Sequence, residues 1–171
     1  MFDEIADGAA HESGLWEQAL LPRDERRLEN VFSPLAEPRF GPGLETIYEG
    51  YLVHYGAPRL FAPVDPDVAL LLGDYLYAHG LVRIASFGET AAVGDLSELI
   101  SLCSQLRAED AEGDGALWAA SAALLGAGET LDDARSALRL HGDAQPLERA
   151  ARDAVGDEAV DRALAAHQRL R

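Results

Sequence analysis

Glu45 and Glu49 stand four residues apart in a stretch of helical spacing, which puts both carboxylates on one helix face. Such a pair suits a hard divalent cation such as magnesium, which takes oxygen ligands and keeps several waters. Two readings are open: an ion shared with water and with ligands from another chain, or a solvated helix face. Tyr48, Tyr51 and Tyr55 recur at helical intervals beside the pair and suit either the lining of an apolar channel or a core or interface stripe. His54 has the intrinsic pKa of an acid–base group, but no nucleophile or paired carboxylate lies near it in sequence, so a helix-end role is the simpler reading. Arg59 could touch an anion or form a surface ion pair.

Other reactive residues point to structure. Asp132 and Asp133 are the chain's adjacent aspartates, and their place after Thr130 suits a helix first turn, where the dipole stabilises acidic residues by about 0.3–1 kcal/mol. Asp74 falls on an apolar helix and needs a partner there, a helix terminus or Arg83, because an unpaired buried carboxylate costs several kcal/mol. The single cysteine, Cys103, lies on an amphipathic stripe and reads as a small buried residue. His11, His141 and His167 are dispersed without metal-ligand spacing. No phosphate-binding glycine loop and no nucleophile elbow occurs.

The 171 residues are enough for one domain with a real core. Formal net charge is −16 and all 14 basic residues are arginine, a balance that repels nucleic acid and anionic membrane surfaces, where binding rests on clustered Lys and Arg. Apolar stretches are interrupted by Asp74, His79 and Arg83, and Met1 is followed by Phe2, Asp3 and Glu4. No membrane span and no signal peptide are therefore expected, and a cytoplasmic location is the default.

Helical spacing with recognisable caps, and no sustained two-residue alternation, predicts an all-α chain. A short helix is expected after Pro22, carrying Leu28, Val31 and Phe32, then a loop or hinge through Pro34, Pro38, Gly41, Pro42 and Gly43. A helix over 44–53 ends before Gly56 and Pro58. Asp65 and Pro66 open a helix that is apolar on most of its circumference and so expected at the centre. A stripe of Val93, Leu96, Leu99, Ile100, Cys103 and Leu106 predicts the next helix over 90–107. Further helices are expected over 116–125, from Thr130 to Gly142, and over 146–155 and 157–170, separated by Gly156. The segments divide as 1–43, an N-terminal helix and loop; 44–142, a helical core; and 143–171, a C-terminal extension.

Gly73, Asp74, Tyr75, Leu76, Tyr77 and Ala78 resemble the glycine-aspartate helix of trans-isoprenyl diphosphate synthases. In that family the helix follows a DDxxD motif and an Arg-Arg-Gly-x-Pro turn. Gly56 and Pro58 fall on the turn, Glu45, Thr46 and Glu49 on the three aspartates, and His54 and Tyr55 on the two arginines. The resemblance covers roughly 45–142, with the alanine-rich 115–126 and the helix ending at Gly142 as weaker matches.

It implies an isoprenoid-synthase-like antiparallel helical bundle, shortened and with its chemistry depleted. Thr46 removes the adjacent carboxylate, no second DDxxD occurs in 143–171, and Asp114 stands near the place of a phosphate-binding lysine. The expected role is a non-catalytic or regulatory subunit beside a full-length prenyl diphosphate synthase, or a homo-oligomer, associating through the helical core and needing no cofactor. The enzyme alternative is a weak magnesium-dependent prenyltransferase, with Glu45 and Glu49 on the metal and Tyr48, Tyr51, His54, Tyr55 and Arg59 around a prenyl diphosphate. A third reading is an acidic helical module for protein interaction or for a hydrophobic ligand.

Overall fold

Local signals fix several helix ends. Asp65 caps α4 (Pro66–Ala85) by accepting from the amides of Asp67 and Val68 at 2.8 and 3.4 Å, and Pro66 occupies the first helical position, where no amide hydrogen is needed. Gly142 ends α7 (Asp132–His141) in the left-handed region at φ 67°, with its amide donating to Leu138 O at 2.9 Å. Gly156, at φ 85°, separates α8 (Gln145–Val155) from α9 (Asp157–Leu170).

The structure is a computed structural model that describes residues 1–128 and 130–171. It is all-α: among the described residues there are α1 (Phe2–Glu12), α2 (Gly14–Gln18), two 3-10 turns at Ser33–Leu35 and Pro38–Phe40, α3 (Gly41–Tyr55), α4, α5 (Thr90–Ala108), α6 (Asp114–Ala123), α7, α8 and α9. Two departures lie in the first third. The short helix expected after Pro22 does not form, and two helices occupy the polar start instead, α1 burying Ile5, Ala6 and Ala9. Pro42 does not keep Gly41 and Gly43 out of α3, because it sits in the helix's first turn, where its missing donor costs nothing.

The centre of the molecule is not α4. Eleven of fifteen residues in α3 and nine of ten in α6 are buried, against five of twenty in α4, so α3 and α6 form the middle and α4 lies outside with Leu70, Leu71 and Val82 exposed. An all-round apolar helix reads as buried when its partners are not known; here only one side has them. That side is packed without spacers. A Cβ on Gly43 would meet Ile84 Cδ1 at 2.6 Å, and one on Gly73 would meet His54 Nε2 at 2.3 Å, so α3 and α4 run antiparallel in close contact.

α6 packs on α5, α8 and α9, joining the main core through Trp118, Leu99, Cys103, Leu147 and Val160. A smaller core sits between α1, α2, the chain after α3 and the inner face of α4, with Ile5, Leu60, Phe61, Leu72 and Leu76, and Trp16 stacks on Tyr75. The N-terminal segment is tied to the chain after α3 by paired backbone bonds, Leu21 N to Leu60 O at 2.9 Å and Ala62 N to Ala19 O at 2.7 Å.

Candidate functional site

Glu45 and Glu49 do share a face of α3, and that face points inward: both are fully buried, as is Arg59. The solvated face and the surface ion pair are thus replaced by a buried triad. Arg59 Nη1 donates to Glu45 Oε2 at 2.6 Å and Nε to Glu49 Oε2 at 2.9 Å. The other two oxygens are also taken, Glu45 Oε1 by the amides of Val31 and Ser33 and Glu49 Oε1 by those of Arg59 and Leu60. The guanidinium further donates to the carbonyls of Glu29 and Glu45 and lies over the rings of Tyr48 and Phe2.

Burial works against the charge on Arg59, but Glu45 and Glu49 outweigh it and push its pKa above the ordinary arginine value. Burial pushes Glu49 up, with Arg59 and the two amides pulling it back. The carboxylate pair therefore does hold a cation, one supplied by the chain itself. A magnesium ion here would have to displace the guanidinium and several backbone donors.

The tyrosines divide. Tyr48 and Tyr51 are wholly buried, packed at 5.1–5.9 Å between ring centroids against Phe32, Trp118, His167 and each other, while Tyr55 is half-buried and its hydroxyl meets Ser104. His54 lies in the last turn of α3, its Nε2 3.3 Å from Asp74 Oδ1. Asp74 itself is 66% exposed, so the burial cost expected for it does not arise, and His54 rather than Arg83 is its neighbour. Burial lowers the pKa of His54, which Asp74 partly offsets.

A second network passed unnoticed in the sequence. Tyr51 Oη donates to Asp114 Oδ2, Arg171 Nε stands 3.3 Å from the same oxygen, and Tyr48 Oη lies 2.9 Å from His167 Nδ1. Burial raises the pKa of both tyrosines, so they act as donors. His167 Nε2 stands 3.4 Å from Asp114 Oδ2, close enough to act on the carboxylate. Burial opposes ionisation of Asp114, yet His167, Tyr51 and Arg171 overcome it and hold the carboxyl down to about 2. The sign reversal at Asp114 was visible as an acid where the resemblance expects a lysine; that Arg171 and His167 come to it from α9 and the chain beyond was not.

The site is thus two buried clusters along α3: a closed ion triad on one side, and on the other a fixed anion with an imidazole beside it. Compared with known family models, curated proteins and solved structures, the chain matches none.

Proposed function

We propose that the chain is a non-catalytic relative of trans-isoprenyl diphosphate synthases that serves as a subunit beside a full-length synthase. The observation that supports this reading is the Glu45–Arg59–Glu49 triad: the positions that fall on the family's metal-binding aspartates are spent on an internal arginine. Diphosphate ionisation needs metal charge at those carboxylates, and the same lone pairs cannot serve both. Activity then lies in what the chain touches. α4 offers a surface, with Leu70, Leu71 and Val82 outward on a helix that is long and apolar enough by length and composition to cross a bilayer. Its opposite side is locked on α3, and an apolar outer stripe flanked by Asp67 and Asp74 suits a partner helix of apolar and basic side chains.

The test is purification of the tagged chain from its native host, beside a Leu71→Asp, Val82→Asp variant that changes only exposed side chains. A prenyl synthase with two intact aspartate-rich motifs, recovered in stoichiometric amount with the unaltered chain and lost with the variant, supports the reading, as does a shift in that enzyme's product length. Recovery of the chain alone or only as a homo-oligomer overturns it. Magnesium-dependent turnover of a prenyl diphosphate by the isolated chain, lost in Glu45→Ala, Glu49→Ala, would restore the enzyme reading.

A further inference from the structure

α1 sits on the rest of the molecule as a guest helix would. Phe2, Ile5 and Ala9, at i, i+3 and i+7, pack into a groove floored by Leu60, Phe61, Leu72 and Leu76. The helix runs antiparallel to α4: Glu4 Oε2 lies 3.7 Å from Arg83 Nη1, and Glu12 is close enough to His79 to act on its charge. Phe2 also covers Arg59, whose guanidinium carbon lies 5.1 Å from the ring centroid.

Little besides apolar contact keeps α1 there. Among the described residues its backbone makes no hydrogen bond past Ser13, and its ion pair to the body is Glu4 with Arg83. The following segment is held differently, by Leu21 N to Leu60 O at 2.9 Å, Ala62 N to Ala19 O at 2.7 Å and Arg27 N to Arg59 O at 3.0 Å. Between the two lie Ser13, extended at φ −149°, and Gly14, with open space around it. Gly8, also in open space, weakens a helix of eleven residues that is too short to be stable alone. The groove floor belongs to a core separate from the main one, so uncovering it leaves the packing around Trp118 intact.

We propose that this groove is a docking site for an acidic amphipathic helix of another protein, and that α1 is its built-in competitor, swinging out about Ser13 and Gly14 to admit the partner. The partner's chemistry follows from what α1 supplies: an aromatic anchor over Arg59, an aliphatic and a small residue one and two turns on, and carboxylates for Arg83 and His79. A basic rim in a chain of net charge −16 selects against basic helices at this place. The inference stands apart from the partner-subunit reading, which uses Leu70, Leu71 and Val82 on the outward side of α4.

The experiment uses the full chain and, as probe, a fluorescent peptide with the sequence of residues 1–13. An Ile5→Asp, Ala9→Asp variant, in which α1 cannot seat, is expected to bind the peptide at least about tenfold more tightly than the unaltered chain, where only the open fraction is competent. A peptide carrying Glu4→Lys and Glu12→Lys should bind that variant more weakly, by a margin that shrinks in salt. Equal binding by the variant and the unaltered chain, or equal binding of a scrambled peptide, overturns the proposal. So does a dimer of the unaltered chain that the two substitutions dissociate, because α1 of a second copy then fills the groove. Hydrogen exchange on the unaltered chain decides the matter even if the variant fails to fold. The α1 amides should exchange through an opening that spares α3 and α6, and exchange only on global unfolding overturns the swinging helix.

Discussion

Gly80 and Gly43 meet backbone to backbone across α3 and α4: a Cβ on Gly80 would lie 2.9 Å from Gly43 O and 2.4 Å from Ile47 Cγ1. Gly50 repeats the contact one step along, where a Cβ would stand 2.9 Å from Gly73 O. Carbonyl oxygens belong to the helices themselves and cannot rotate away, so a methyl group must push the helices apart. Gly80→Ala is expected to destabilise by about 1–3 kcal/mol in urea unfolding. Gly94, inside α5 with open space around it, is the control: Gly94→Ala should stabilise by about 0.5–1 kcal/mol. Equal effects at the two positions would show that the helices are not held by close contact.

Removing one member of the buried triad strands the others. Arg59→Met leaves two carboxylates without their cation, and a loss of about 3–5 kcal/mol is expected. The triple variant Arg59→Met, Glu45→Gln, Glu49→Gln should recover most of it, since each glutamine oxygen can still accept from the backbone amides that the glutamate served. Denaturant midpoints for the two variants decide the matter, and failure of the triple variant to recover would show that the charges themselves hold the segments together.

Acid should reach the molecule through Asp114. Its folded pKa of about 2 lies below the ordinary value of 3.8, so its contribution is fully present above about pH 4 and disappears as pH falls toward 2. Asp114→Asn should be less stable than the unaltered chain at neutral pH, with the gap closing across that window. A gap that persists at pH 2 would assign the effect to packing rather than ionisation.

His54 acts at higher pH and with the opposite charge. Its folded pKa is depressed, so the neutral ring is favoured in the fold and stability declines as pH falls below about 6.5. His79 is shifted the same way, by burial and then by Arg83. His54→Gln should reduce the decline between pH 7 and 5 but not abolish it, as thermal melts at several pH values would read.

Where the signal was local, the sequence could be read. Asp65 with Pro66, Gly142, Gly156 and the α5 stripe each act within one or two turns, and the helices end where those residues stand. α1 escaped notice because its buried side is only Ile5, Ala6 and Ala9, and what makes it a helix is the apolar floor from Leu60, Phe61 and Leu72 far along the chain. For the same reason residue type could not separate the inner side of α4 from the outer. The i, i+4 relation of Glu45 and Glu49 was legible; the cation between them was not, because Arg59 alone looks like any exposed arginine until a loop folds it inward. Asp114 and His167 meet only when α9 packs on α6.

Arg59 also bears on how the molecule comes apart in time. Its guanidinium is satisfied only when partners 10, 14 and 30 residues away have all arrived, from α3 and from the segment before it. Arg59→Met is therefore expected to raise the unfolding rate more than it lowers the refolding rate in denaturant-jump kinetics, and equal changes in the two would place the triad in the folding nucleus. A larger effect on unfolding would make the buried arginine a latch on the lifetime of the folded chain.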